Sequence, residues 1–472
     1  MGIHTVEKIG GTSMSRFGEV MNNVIVGKRS KNELYNRIFV VSAYSGITNL
    51  LLEDKKNGAP GVYGHIAVGS PLWTEAMDKV REKMLEYNRS FADIGLNVEE
   101  ADQFINDRLD GIAACLQNIV NLRTFGHFHP EDYLPATREL LAAIGEAHSA
   151  YNSAKILQAN GINARFVDLS GWKSTKSLTL DQAIRDAFEG IDYSVEMPIV
   201  TGYVKFDGGI MKGFDRGYSE ITFSKIAVIT GAAEGIIHKE FHLSTGDPKL
   251  MGLENVQIIG NTNFDIADQL SDMGMEAIHS KAAKEMEYKD IPIRVKNAFD
   301  PEHPGTLISR DYISPRPRVE MICGRNDMIA IEVYDPDMVG ESGYDYRLSK
   351  HLADTSINYI AKTTNANTIT HFVPEKSKQL NACLNALKED YPSANVKSVK
   401  VGIVSVIGTN MRIPGFLARA AQALYDAGIN VLALDQTLRQ VNIQFMVERQ
   451  DFETAQKVLH CEFVEKKHCH NK

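Results

Sequence analysis

The stretch VEKIGGTSMSRFG, residues 6–18, places a lysine, two adjacent glycines and two hydroxyl side chains at the end of what reads as the first β-strand. That strand ends near Lys8, a glycine turn follows, and a helix is expected from about Ser15 through Val26. A second strand, RIFVVSA (37–43), is a continuous apolar run of the kind found where both faces of a parallel sheet are covered. Strand, turn, helix, strand is the βαβ signature, and it decides for an α/β fold. In KIGGTS (8–13) the backbone N–H groups of Gly10 and Gly11 can converge on an anion, Lys8 adds a point charge, and Thr12 and Ser13 add donors. The lysine precedes the glycines, so this is not the GxxxxGK[ST] loop. By itself the stretch reads either as a strand-ending turn or as a phosphate cradle.

The rest of the chain bounds the choice. With 472 residues, 43% hydrophobic and 24% charged, it can bury a large core and is expected to hold more than one domain. A formal net charge of -9 argues against general affinity for nucleic acid or anionic membranes, so a phosphate site has to be built from local cations. Five cysteines, Cys115, Cys323, Cys383, Cys461 and Cys469, form no CxxC pair and read as reduced thiols. No leader-like N-terminus and no apolar run of about 20 residues is present, which sets the expectation of a soluble, cytoplasmic protein.

Along the chain, residues 53–71 read as a surface loop, and three long segments within 72–161 show the 3.6-residue apolar period of helices, the last ending at Asn160-Gly161. Strands are expected at 164–169, 197–204 and 227–233 (AVITGAA), and a helix at DIADQLSDMG between strands near 258 and 292. SPRPRV (314–319) reads as a linker, after which two units of about 70 residues repeat a split-βαβ pattern.

Two further stretches join KIGGTS. SAYSGITN (42–49) follows the second strand, so its hydroxyls belong to the same carboxyl edge, where ligands bind in open α/β sheets; the other reading is a helix start capped by Thr48 or Asn49. In GFDRGYSEIT (213–222) Arg216 can clamp a carboxylate and Gly217 permits close approach, or the stretch is a hairpin with a surface arginine. His238 and His242 stand at i, i+4, a metal-binding spacing on a helix, but without an HExxH context they read as ordinary histidines.

KIGGTS, SxxSGITN, IGEAHS (144–149), RGYSE (216–220), DPK (247–249), GMEAIH (274–279) and VKNAFDPEHPGT (295–306) occur in the order and rough spacing of aspartate kinases, and residues 1–311 resemble that catalytic domain. The resemblance implies an amino-acid kinase (carbamate kinase-like) three-layer sandwich, followed by tandem ferredoxin-like ACT domains at 328–397 and 398–466. Residues 312–327 then form a linker whose VEMICG (319–324) can supply a strand to the second ACT unit. It implies ATP-dependent phosphorylation of the side-chain carboxylate of L-aspartate with Mg2+, an amino-acid effector at the ACT units, and a homodimer or higher homo-oligomer formed through them. Carried over by position, Lys8, Gly10, Gly11, Thr12 and Ser13 hold the phosphoryl group, while Thr230, Gly231 and Lys249 match the nucleotide region. Ser42, Thr48, Glu146, Arg216, Gly217 and Ser219 hold aspartate, with Glu146 facing its ammonium. Glu220 completes the catalytic set with Lys8.

The chain departs from the family pattern at Glu220, where aspartate is usual, at Glu276, where lysine is common, and at 230–248, which is longer than its counterpart. The variant segment and RGYSEITF resemble a subgroup associated with ectoine biosynthesis. In the first ACT-like unit, residues 335–351 replace a short loop. A non-catalytic amino-acid sensor is the rival class, and a glutamate-directed kinase is the rival within the chemistry. The nucleophile in the aspartate reaction is a carboxylate of ordinary pKa about 4, already ionised at neutral pH. No general base is needed, and catalysis rests on positioning and charge neutralisation.

Overall fold

The computed structural model describes residues 2–275 and 278–465. Glu276 and the tail from 466 to 472 lie outside the described residues. The chain divides into two units, one of residues 1–242 with 278–310, the other of residues 243–277 with 311–472.

In the first unit seven strands are β1 (Thr5–Ile9), β2 (Arg37–Val41), β3 (Ala164–Val167), β4 (Met197–Thr201), β5 (Glu234–Lys239), β6 (Ile293–Asn297) and β7 (Thr306–Ser309), in the order β3-β4-β2-β1-β5-β6-β7. All neighbours are parallel except β6 and β7. Every residue of β2 is buried, as its unbroken apolar run requires. β1 separates the two faces, because successive side chains point to opposite sides. Glu7 faces one side and is gripped by Arg37 at 2.6 and 2.9 Å; the same guanidinium donates to the carbonyls of Val24 and Ile25, which fastens the helical path 11–26 to that face. Lys8 faces the other side, where Glu220 stands.

The helices of this unit include α1 (Ile47–Leu51), α2 (Trp73–Ser90), α3 (Val98–Leu122), α4 (Pro130–Ala159), α5 (Tyr218–Thr230) and α6 (Ser280–Tyr288). Asn160 caps α4 and Gly161 follows at φ 77°, the left-handed turn that glycine tolerates.

Three local expectations are corrected. The first helical turn begins at Gly11, directly after the strand, rather than at Ser15. The 53–71 loop contains a helix, Val62–Ala67, because Val62 and Ile66 one turn apart are both fully buried. AVITGAA (227–233) is not a strand. It is the end of α5, stopped by Gly231 at φ 69°, and the strand begins at Glu234. Eight of the thirteen residues of α5 are buried, so the helix carries no polar stripe to reveal its period.

In the second unit a six-stranded antiparallel sheet is built from β8 (Arg318–Tyr334), β9 (Ala361–Thr364), β10 (Thr368–Pro374), β11 (Asn395–Thr409), β12 (Val431–Asp435) and β13 (Asn442–Glu448), in the order β9-β10-β8-β11-β13-β12. β8 and β11 pair along nearly their whole lengths, with register shifts between Val401 and Ile403 and between Ile407 and Gly408. Two cores result. Ile329, Ile331 and Val333 pack with Leu348 and Leu352 of α7 (Tyr344–Asp354) and Leu387 of α8 (Leu380–Asp390). Val319 and Ile322 join the other core, with Leu424 of α9 (Phe416–Asp426) and Leu459 of α10 (Phe452–His460). VEMICG is therefore the start of one long strand that serves the later half.

The expected single boundary near 311 differs from the structure, because residues 243–277 belong to this second unit. Thr245 anchors them: its carbonyl accepts from Ile322 N at 2.8 Å and its hydroxyl lies 3.0 Å from His460 Nε2.

Candidate active site

Lys8 stands one residue from the carboxyl end of β1, and the chain turns at once into its helix: Met14 N donates to Gly10 O at 2.9 Å and Ser15 N to Gly11 O at 3.1 Å. The amides of the first turn have no partner within the helix. That of Ser13 is taken by Glu240, whose Oε1 also accepts the Ser13 hydroxyl, at 3.1 and 3.0 Å. Gly11 is forced by contact, since a Cβ there would lie 2.5 Å from the carbonyl oxygen of Ala43. The first turn and the SAYSGITN loop thus meet closely at Gly11, Ser45 N donates to Ser15 Oγ at 2.8 Å, and Ser42 N donates to Ile9 O at 3.1 Å.

Glu220, in the first turn of α5, reaches the same edge. Lys8 Nζ lies 3.3 Å from its Oε1, and the His279 amide donates to its Oε2 at 2.5 Å. Burial pushes this carboxyl up, but Lys8, Lys239 and the His279 amide outweigh burial and hold it below the usual range, so Glu220 is the ionised partner of Lys8. Gly217 is packed against His279, 2.6 Å from where its Cβ would stand.

Glu146 is the opposite case. It is 1% exposed on α4, accepts the Ser219 hydroxyl at 2.5 Å through Oε1, and its Oε2 makes no hydrogen bond. Burial raises its pKa to about 8, against the smaller opposing effects of Ser219, Lys8 and the nearby Ala43 and Tyr203 amides, which lie outside hydrogen-bond geometry. Gly202 closes this pocket: a Cβ would meet Ser219 Cβ at 2.8 Å and Glu146 Oε2 at 2.9 Å.

Arg216 meets SGITN directly, donating to Asn49 Oδ1 at 2.6 Å and to the carbonyl of Glu53. Glu53 is in turn held bidentately by Arg138 at 2.8 and 2.7 Å. Thr48 stands near Tyr218, next to Ser219. KIGGTS, SGITN, IGEAHS and RGYSE therefore converge on one sheet edge, with a cationic half around Lys8 and a buried acidic half at Glu146.

The nucleotide assignments fare differently. Thr230 and Gly231 lie at the far end of β1, where Thr230 Oγ1 is 2.8 Å from His4 Nε2 and Gly2 N donates to Gly231 O at 2.7 Å. Four residue steps of β1 separate that end from Ile9, roughly 13 Å. The residues that do reach the edge are Lys239 and Glu240, at the end of β5. Lys249 belongs to the second unit, where Asp247 accepts its amide at 2.9 Å. His238 and His242 are not on a helix. His238 lies on β5 with Nε2 2.8 Å from Glu7, and His242 Nε2 is 2.9 Å from Asp300.

Sequence reading missed Glu240, Gly202 and the His279 amide. Glu240 directly follows the short strand around Ile236 and Ile237, so its place at the edge follows once that strand is recognised. The other two meet the site only through distant chain folding.

Comparisons with known proteins give the family. The amino acid kinase family matches residues 4–297, and an ACT domain family matches residues 404–463. Aspartate kinase Ask_Ect of Stutzerimonas stutzeri is 48% identical over 98% of this chain and 98% of its own length. Aspartokinase 1 of Arabidopsis thaliana chloroplasts is 25% identical over 98% of this chain and 81% of that protein. Among solved structures, Escherichia coli aspartokinase III in complex with lysine and aspartate aligns with a TM-score of 0.72 at 19% identity, over 98% of this chain and 99% of that one. The Clostridium acetobutylicum aspartate kinase aligns at 0.71 and 20% identity, over 97% of this chain and 100% of that one.

Proposed function

The chain belongs to the amino acid kinase family and within it to the aspartate kinases, and from that premise we propose how its residues divide the phosphorylation of L-aspartate to 4-phospho-L-aspartate. The observation that carries the proposal is Glu146: a buried carboxylate with one oxygen unpartnered, beside Ser219 and facing the edge that bears Lys8. Such a group calls for a cation, and the α-ammonium of aspartate supplies one. Arg216 takes the α-carboxylate, exchanging part of its hold on Glu53 for the substrate. The side-chain carboxylate then lies toward Lys8.

Because that carboxylate is already ionised, no residue has to remove a proton. The work is to bring two anions together. Lys8 and the Gly10–Gly11 turn hold and neutralise the transferring phosphoryl group; Glu220 pairs with Lys8 and aims it; Glu240 fixes the Ser13 turn. Mg2+ bound with ATP supplies further neutralisation of phosphate charge, and the hard oxygen donors of Glu220 and Glu240 at this edge suit it. Hydroxamate formation from ATP, Mg2+ and aspartate, with glutamate as the control, tests the assignment. Aspartyl hydroxamate alone is expected; equal yields from glutamate would overturn the substrate assignment.

For the second unit we propose an amino-acid effector site and homodimerisation, supported by the ACT match. Light scattering with and without lysine or threonine, alongside the activity assay, tests both. The likeness of RGYSEITF and of residues 230–248 to the ectoine-associated subgroup supports ectoine synthesis as the use of the product, and loss of ectoine on deleting the gene is the expected outcome.

A further inference from the structure

The face of the kinase sheet opposite Lys8 carries a cavity of about 540 Å³ that the phosphotransfer does not use. Its floor is Glu7 of β1 and His238 of β5, and its walls include Arg29 and Lys296. Glu7 is fully engaged. Its Oε1 accepts from Arg37 Nε at 2.6 Å and Thr5 Oγ1 at 3.0 Å, and its Oε2 from Arg37 Nη2 at 2.9 Å and His238 Nε2 at 2.8 Å. Arg37 and His238 overcome the cost of burial and hold this carboxyl ionised, well below its usual range.

Of the other charged groups lining the cavity, Lys28 pairs with Glu302 at 2.9 Å and Glu33 accepts from Ser30 at 2.8 Å, which leaves two cations. Among the described residues neither Arg29 nor Lys296 forms an ion pair; Arg29 donates to Val24 O at 2.9 Å and Lys296 to Pro301 O at 3.2 Å. Burial first, and then the charge of Arg29, lower the Lys296 pKa against the opposing pull of Glu7. His238 is 5% exposed, and its Nδ1 is buried without a hydrogen bond. Burial holds the imidazole below its ordinary pKa, and Nε2 must donate to ionised Glu7, so Nδ1 is a bare acceptor.

We infer that this cavity is a second anion site, in which Arg29 and Lys296 hold a phosphate oxyanion that donates its remaining P–OH to His238 Nδ1. The requirement selects the ligand. An ionised carboxylate or sulfate offers acceptors alone, whereas a protonated phosphate supplies acceptors for the two cations and a donor for the histidine. The site also lies one residue from the catalytic edge on two strands, since Glu7 precedes Lys8 and His238 precedes Lys239.

The test is a titration of the full chain labelled with 15N-histidine, with the His238 resonances assigned by their absence from His238→Gln. Orthophosphate and sulfate are added in parallel at equal ionic strength near pH 6, where a phosphate group retains a proton. A saturable His238 shift with orthophosphate, absent with sulfate and weakened at least tenfold in the Arg29→Gln, Lys296→Gln double variant, is the expected result. Lys296→Gln alone, at a half-buried position, serves if the double variant does not fold. Methyl phosphate run alongside distinguishes a phosphomonoester from the free ion. No saturable shift with either phosphate, an equal response to sulfate, or an undiminished response in the variants overturns the site.

Discussion

Replacing Glu146 with glutamine removes a charge while keeping the shape of the side chain, and the two consequences have opposite signs. A folded-state pKa of about 8 against an ordinary 4.5 means that the folded chain keeps a proton that the unfolded chain has already lost. The group is harmless below pH about 4.5, and stability is lost progressively as the pH climbs through 8. At 1.36 kcal/mol per pH unit the gap from 4.5 to 8 corresponds to at most about 5 kcal/mol at alkaline pH. Free Glu146→Gln protein is therefore expected to melt several degrees higher than wild type at pH 8.5 and at nearly the same temperature at pH 4.5. Substrate binding moves the other way. A charge-assisted hydrogen bond to a buried carboxylate is worth roughly 1.5–3 kcal/mol, so KM for aspartate should rise about 10- to 150-fold at pH 8.5. Wild-type Glu146 must release its proton to receive the ammonium, so KM for aspartate should fall by up to about tenfold per unit between pH 6 and 8 and then level. In the variant this dependence should vanish. Differential scanning calorimetry and initial rates across that range read both effects. A variant that melts lower at pH 8.5 and keeps the wild-type KM and pH profile would refute the role of Glu146 as a buried receptor for the ammonium.

Other residues give separate tests. Glu240→Gln weakens the two bonds that fix the Ser13 turn, so KM for ATP should rise about tenfold, with aspartate binding by calorimetry unchanged. Gly202→Ala drives a methyl group against Ser219 and Glu146, and the expected loss is of aspartate binding, with ATP binding retained in equilibrium dialysis. Arg37→Met leaves Glu7 buried beside His238 without its main cation, and urea denaturation should show a loss of about 3–5 kcal/mol at pH 7, shrinking as the pH falls far enough to protonate Glu7.

The catalytic half of the fold was legible because its signals are local. The unbroken RIFVV run, the KIGG turn and the Asn160-Gly161 stop each encode an element within a few residues, and each stands where the chain pattern puts it. α5 was misread where burial on most sides erased its helical period, and Thr230 and Gly231, matched to the nucleotide region by resemblance, stand at the opposite end of β1 from Lys8. Contacts such as Glu240 with Ser13, 227 residues apart, or the His279 amide with Glu220 have no local signature, because they exist only once parallel strands bring their carboxyl ends together. The attachment of 243–277 to the second unit was hidden for the same reason.

The central claim is that the edge around Lys8 carries phosphoryl transfer through charge and position alone. The most direct measurement is the single-turnover rate of aspartyl hydroxamate formation by Lys8→Ala at saturating ATP, Mg2+ and aspartate. Loss of one preorganised charge predicts a fall of at least ~100-fold in a variant that still binds aspartate. A rate within a few-fold of wild type would contradict it.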